Sequence, residues 1–298
     1  VKLITFVDPD GNERPGVVQD DEAVTIDGIG SIRELFEQGP ELEAARAASG
    51  RRFPLAEVRL KAPIVPRKLI HTSGNFREHE DESKNVNWSH AIAPWIVFFQ
   101  NVDAIIGPDE DIVYPEHLTR ELDHELELAV VMARSGKFLD EKEAEELIGG
   151  FLIFNDITAR DIQRREMKSG VFSFCKSIDT FCPLGPWIVT PDEVGDPRTL
   201  EMRLTVNGDL RQHSYSGNMS VTLAELIAHH SPLGYHAGDV LTTGTVSGVA
   251  GFKADKEKWY LRPGDVVECS VERVGTLRNR VVSWQDAYGE PAPAFREW

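Results

Sequence analysis

Glu125 and Glu127 stand two residues apart in the run Leu122-Asp-His-Glu-Leu-Glu-Leu-Ala-Val-Val131. From Leu126 the run alternates and then becomes wholly apolar, the pattern of a strand entering a core. Side chains two apart on a strand share a face, so two carboxylates lie side by side where the segment is about to be buried. Like charges so placed repel, and either one takes up a proton or a cation joins them. A third acid, Asp156, follows the apolar run Phe151-Leu-Ile-Phe154. Clustered carboxylate oxygens suit a hard cation: Mg²⁺, Mn²⁺ or Ca²⁺.

Other residues could complete a reaction centre around those acids. If a helix starts near Asp156, then Asp156, Arg160 and Gln163 fall at i, i+4 and i+7 on one face, and Asp161 points away as an ordinary surface or structural acid. Taken singly, that segment is equally a capped amphipathic helix. Lys176 could supply a cation, although a bare lysine is ordinarily a solvated surface residue. His79 and Glu82 stand at i and i+3. On a helical turn the carboxylate could hold the imidazole tautomer and make His79 a base toward water, with a charged surface turn as the common alternative. His124 flanks the glutamate pair on the opposite strand face and is a weaker candidate. His90, His213, His229, His230 and His236 read as surface or packing residues.

The elements that must position these groups follow from the whole chain. Its 298 residues, 41% hydrophobic and 27% charged, fit a soluble globular enzyme of one large domain, or of a large one with a small companion. A net charge of -17 argues against nucleic acid or anionic membrane as a partner, and cations should gather wherever an anion binds. Three cysteines, Cys175, Cys182 and Cys269, lack metal-type spacing and read as buried thiols of a reducing compartment. The N-terminal run shows no signal-peptide pattern. The longest apolar stretch, around Ala91–Phe99, contains Pro94 and is too short to span a bilayer, so the expected location is the cytoplasm.

Residues 1–65 read as a small α+β module. It has a hairpin at Asp10-Gly11, a strand near Glu22–Ile26 and an amphipathic helix from Ser31 to about Ala48. Residues 66–298 are mostly β. Asn207-Gly208 is a two-residue hairpin signal, and Gly-Asp precedes an alternating strand in both Ala237–Thr243 and Arg262–Cys269. Helices are expected at Glu141–Leu147, from Thr158 to about Met167, and at Leu223–His229. The tail from Trp284 to Trp298 reads as an arm over the surface or a subunit interface.

In order along the chain, His79-x-x-Glu82, Glu125-Leu-Glu127, Asn155-Asp156-x-x-Ala-Arg160-Asp-x-Gln163, Lys176-Ser177 and Thr243-Gly-Thr245-x-Ser-Gly248 resemble the fumarylacetoacetate hydrolase family. The resemblance covers about residues 68 to 283. It implies an α+β, mostly-β fold, a mixed β-roll or barrel, with Mg²⁺ or Mn²⁺ held by Glu125, Glu127 and Asp156. It also implies His79 and Glu82 as the water-activating pair and a lid over about Phe76–Trp88. Arg160, Gln163, Lys176 and Thr245 would contact substrate, and a homodimer would involve the aromatic tail Phe295–Trp298. The sequence departs from the family's pattern at Phe76, Gln100-Asn101, Val246 and Ala250, changes that bear on substrate rather than metal.

The implied reaction is hydrolytic C–C cleavage of a small anionic 2,4-dioxo acid, an acylpyruvate, with Lys176 helping to stabilise the enolate. Decarboxylation of a 2-oxo acid such as oxaloacetate, and hydration or isomerisation of an unsaturated one, use the same site. A metal-stabilised binding protein without turnover is a different class. The His79-Glu82 pair argues against it, because a pure binder has no use for an oriented base.

Overall fold

The structure, a computed structural model, describes residues 1–85 and 92–295. The run that opened the sequence reading forms the strand Leu126–Met132, all seven residues of which are buried. It lies inside a twelve-stranded mixed sheet. Leu126, Leu128, Val130 and Met132 enter one apolar core, while Ala129 and Val131 enter another on the opposite face. A strand covered on both sides must be apolar on both sides, which is why the alternation fades after Glu127.

Its neighbours explain how the site is assembled. Ile148–Asn155 pairs antiparallel along its whole length, with Leu126 opposite Asn155 and Glu127 opposite Phe154. On the other side lies Val240–Thr242, followed by the parallel strand Leu69–Thr72 and then Val97–Phe99. The leading strand Lys2–Val7 pairs with Cys182–Val189, so the strands of the first 65 residues extend the same sheet. A second, five-stranded sheet comprises Asp209–Tyr215, Glu201–Val206, Val266–Val271, Gly275–Ser283 and Ile112–Tyr114. The architecture is thus mostly β with mixed sheets, and no strand pairing closes a barrel among the described residues.

Two helix expectations are corrected. The helix read from Ser31 to about Ala48 is two short helices, Ile32–Gln38 and Glu43–Arg46. Gly39 at φ 150° caps the first, and Pro40 has no N–H to continue it. The helix read from near Asp156 begins only at Arg160, because Thr158–Ala159 pairs with Leu122–Asp123 in a two-stranded ladder. The hairpin at Asn207-Gly208 forms as read, with φ of 54° and 84° at its two central residues. Among the described residues, no helix is long and apolar enough to cross a membrane.

The placement of the 126–132 strand between two cores is testable. Leu128→Ala should lower stability by about 2–5 kcal/mol in denaturant melts, the range for a leucine truncated in a packed core. A loss under about 1 kcal/mol would mean that this strand is not central.

Candidate metal centre

The register that places Leu126 opposite Asn155 brings Asp156 across from Glu125, and the Asp156 amide donates to the Glu125 carbonyl at 2.9 Å. By strand parity Glu125 and Glu127 share the side of Ala129 and Val131, and Asp156 that of Leu152 and Phe154; these four apolar residues belong to one core. All three acids are buried, and each offers a carboxylate oxygen within 4.8 Å of the others. At that spacing an ionised pair repels by roughly 3–4 kcal/mol at an effective dielectric of about 20. Positive charge has to be supplied nearby.

Two cations do so. Lys176 Nζ donates to Glu125 Oε2 at 2.9 Å, to Asp156 Oδ2 at 2.5 Å and to Thr158 Oγ1 at 2.8 Å. Arg160, the first residue of the helix Arg160–Glu166, uses all three of its nitrogens. Nε donates to Asp123 Oδ2 at 2.7 Å, Nη2 to Glu125 Oε1 at 2.5 Å and Nη1 to Gln163 Oε1 at 2.9 Å. Gln100 Nε2 donates to Asp156 Oδ1 at 2.6 Å, and the Gly244 amide to Glu127 Oε2 at 2.9 Å.

The acids respond differently because their surroundings differ. Burial alone would raise Glu125, but Lys176 and then Arg160 outweigh it and bring the carboxyl down to about 2. Burial raises Glu127 well above the usual range, and the negative charges of Asp156 and Glu125 push it further. Asp156 rises to about 6, burial prevailing over the Lys176 charge. Lys176 itself is held protonated, since Asp156 and Glu125 overcome the desolvation of its ammonium. Glu127 is therefore the acid in greatest need of a further cation.

His79 lies on the helix Arg77–Asn85, buried, its ring stacked on Phe252 at 5.2 Å and 18°. Its Nδ1 sits 3.5 Å from Glu82 Oε2, outside hydrogen-bonding range, and has no hydrogen-bond partner. Glu82 accepts the Gly248 amide at 3.1 Å, which fastens this helix to the loop after Thr245. One cavity of about 170 Å³ is lined by the three acids together with His79, Arg160, Gln163, Lys176 and Thr245, but not by Glu82. Thr245 reaches it with its hydroxyl already engaged, donating to the Leu126 carbonyl and accepting from Gln212 Nε2, each at 3.0 Å. His124 lies behind the ladder, held neutral by burial, with Nδ1 3.2 Å from Gln212 Oε1.

Sequence reasoning missed four participants. Asp123 is fully buried and accepts from Arg160 and from the Ala250 and Gly251 amides at 2.9 and 2.8 Å. Its only sequence signal was its place two residues before Glu125, and parity puts it on the same side. Gln100 stood out merely as a departure from a family pattern. Thr158 and Phe252 carried no signal. Of the two readings open for Asp161, surface or structural acid, the structure takes the second: it accepts from Thr119 Oγ1 and the Arg120 amide. The end of the expected lid at Trp88, together with His90, Ala91 and Trp298, lies outside the described residues.

Gly244 sets the spacing between the two halves of the site. Its φ is +81°, and a Cβ there would lie 2.6 Å from Gly74 Cα and 2.8 Å from the Asn75 nitrogen. The segment that leads into the His79 helix thus touches, backbone to backbone, the residue whose amide holds Glu127.

Comparison with known proteins agrees with this geometry. The family model described as fumarylacetoacetate (FAA) hydrolase C-terminal matches residues 68–282, and that described as Rv2993c-like, N-terminal matches residues 2–63. This chain belongs to the fumarylacetoacetate hydrolase family. A 2,4-didehydro-3-deoxy-L-rhamnonate hydrolase from Sphingomonas sp. is 35% identical over 284 residues, covering 92% of this chain and 94% of its own. A mitochondrial oxaloacetate tautomerase of Homo sapiens is 36% identical over 85% of this chain and 80% of its own. The crystal structure of maleylpyruvate hydrolase from Sphingobium sp. SYK-6, in complex with manganese(II) ion and pyruvate, has a TM-score of 0.74 and 26% identity, covering 95% of this chain and 99% of its own. Named relatives thus include hydrolases, isomerases and oxaloacetate tautomerases acting on oxo acids.

Removing the lysine tests the electrostatic account directly. Lys176→Met leaves Glu125 and Asp156 buried beside one another without their shared ammonium, so stability in EDTA should fall by about 3–5 kcal/mol. Denaturant melts would measure it, and an unchanged midpoint would show that the carboxylates do not depend on this cation.

Proposed function

We propose that the protein is a divalent-metal-dependent hydrolase that cleaves a C–C bond in a 2,4-dioxo acid of the acylpyruvate type. The observation that carries this reading is the joining, in one cavity, of a three-carboxylate cluster with a buried imidazole. A pure cation site needs only the first. The donor set fits Mg²⁺ or Mn²⁺: three buried carboxylate oxygens, no thiol or imidazole among them, and Glu127 unneutralised by either cation's hydrogen bonds. In this proposal Glu125, Glu127 and Asp156 hold the ion, which when bound polarises the 2-oxo end of the substrate as a Lewis acid.

The chain's own residues then have distinct tasks. Gln163, Arg160 and Thr245 border the oxo-acid end and orient it. His79 takes a proton from water, and its imidazolium draws on the Glu82 carboxylate 3.5 Å away. The activated water attacks the distal carbonyl. The bond between that carbonyl carbon and the methylene breaks, and its electron pair passes to the pyruvate fragment as the enolate. Lys176, held protonated, stabilises that charge and donates a proton to the carbon; His79 then gives up the proton taken from water and Lys176 regains one, through solvent, so that both end as they began. The products are pyruvate and a carboxylic acid. The division at residues 65/66, a homodimer and a cytoplasmic setting remain parts of the same proposal.

A second reading, tautomerisation of a 2-oxo acid, is favoured by the human relative named as an oxaloacetate tautomerase. It moves a proton between carbon and oxygen, needs no attacking water and releases no pyruvate.

Protein with Mn²⁺ should release pyruvate from acetylpyruvate in a lactate dehydrogenase-coupled assay, and excess EDTA should abolish the release. Metal-independent turnover, or none on any acylpyruvate, defeats the hydrolase reading. His79→Ala should keep its Mn²⁺ affinity while kcat falls by about 10²–10⁴-fold; full activity would remove His79 from the mechanism. Glu127→Ala should lose Mn²⁺ binding in calorimetric titration, and an unaltered titration would break the ligand assignment.

A further inference from the structure

The cavity has two chemically opposite ends, and helix Arg160–Glu166 with the turn after it runs between them. Arg160, Gln163 and Met167 stand at i, i+3 and i+7, one face that passes from ionic to apolar as it leaves the carboxylates. The apolar part of the lining includes Met167, Phe172, Phe98 and Ile96. Phe98 and Phe172 meet with ring centroids 4.9 Å apart at 60°, and Lys176 Nζ lies 5.9 Å from the Phe98 centroid. The aromatic wall thus begins beside the last cation.

The charges are already matched at the polar end. Among the described residues lining the cavity the only lysine or arginine side chains are Arg160 and Lys176, and both are tied to carboxylates. Asp123, Glu125, Glu127 and Asp156 face these two cations, so one divalent ion makes the buried charges cancel. A mono-anionic substrate then adds a single negative charge. A second carboxylate at the far end would add another, desolvated against Phe98, Phe172 and Met167 with no free lysine or arginine among the described lining residues to pair it, which is costly.

From this we infer that the enzyme selects oxo acids whose distal group is uncharged and apolar, seated on Met167, Phe98 and Phe172, and rejects those with a distal carboxylate. The inference rests on the proposed anchoring of the oxo-acid end at the three acids, and not on the bond that is cleaved.

Calorimetric titration of the Mn²⁺-loaded protein with 2-oxohexanoate and with 2-oxoadipate tests it, since the two have equal chain length and differ at the distal carbon alone. At least tenfold tighter binding of 2-oxohexanoate is expected. Equal or tighter binding of 2-oxoadipate overturns the inference. Phe172→Lys supplies the missing cation and should cut the ratio at least tenfold through a gain for 2-oxoadipate, and Met167→Lys, checked for folding by circular dichroism, should do the same. An unchanged ratio in both folded variants also overturns it. Cleavage is read separately as kcat/KM for butanoylpyruvate against succinylpyruvate. No cleavage with the binding preference intact defeats the hydrolase reading alone, equal binding with cleavage defeats the specificity alone, and binding of neither acid defeats both.

Discussion

Carboxylates buried together at the edge of a cavity, with little water to screen them, are the constraint on which the rest of this structure depends. Glu125, Glu127 and Asp156 sit where three strand ends converge, on a face otherwise occupied by Ala129, Val131 and Phe154. Water screens them poorly there, so the fold supplies fixed donors instead. Lys176 bridges two of the acids, Arg160 grips a third contact on Glu125, and Gln100 and the Gly244 amide take one oxygen each. Each donor comes from a different part of the chain. The centre is therefore a product of the whole catalytic fold rather than of any one motif.

Asp123 extends this logic outward. It anchors the Arg160 side chain and, through the Ala250 and Gly251 amides, the turn that carries Phe252. Phe252 in turn stacks on His79. The imidazole and the carboxylate cluster are thus joined by a continuous run of hydrogen bonds and ring contact. The 3.5 Å gap between His79 and Glu82 stands out against so many bonds under 3 Å. In the base role proposed for His79, which changes its charge, a partner that can close in serves better than one already bonded in the resting state.

What could be read beforehand follows the range of the forces involved. The Glu125–Glu127 pair was legible because strand periodicity is local, and Asp156 because it follows a second apolar run. The break at Gly39-Pro40 was also local, and the apolar spacing of Ile32, Leu35 and Leu42 masked it. The start of the helix at Arg160 was not legible, since it is set by pairing of Thr158–Ala159 with residues some 35 positions earlier. Asp123, Gln100 and Phe252 gained their roles only through tertiary contacts. No spacing rule places Gln100 against Asp156, 56 residues away.

The contact at Gly244 has a consequence of another kind. Side chains explore rotamers, but a backbone packed on backbone has little freedom to drift. Because Gly244 meets Gly74 and Asn75 with no room for a Cβ between them, the separation of the imidazole-bearing helix from the carboxylate cluster is fixed by main-chain atoms. The working gap of the site is therefore insulated from the residues that line it. Under the proposed mechanism, substitutions among those lining residues would change the molecule accepted without altering the separation between imidazole and carboxylates.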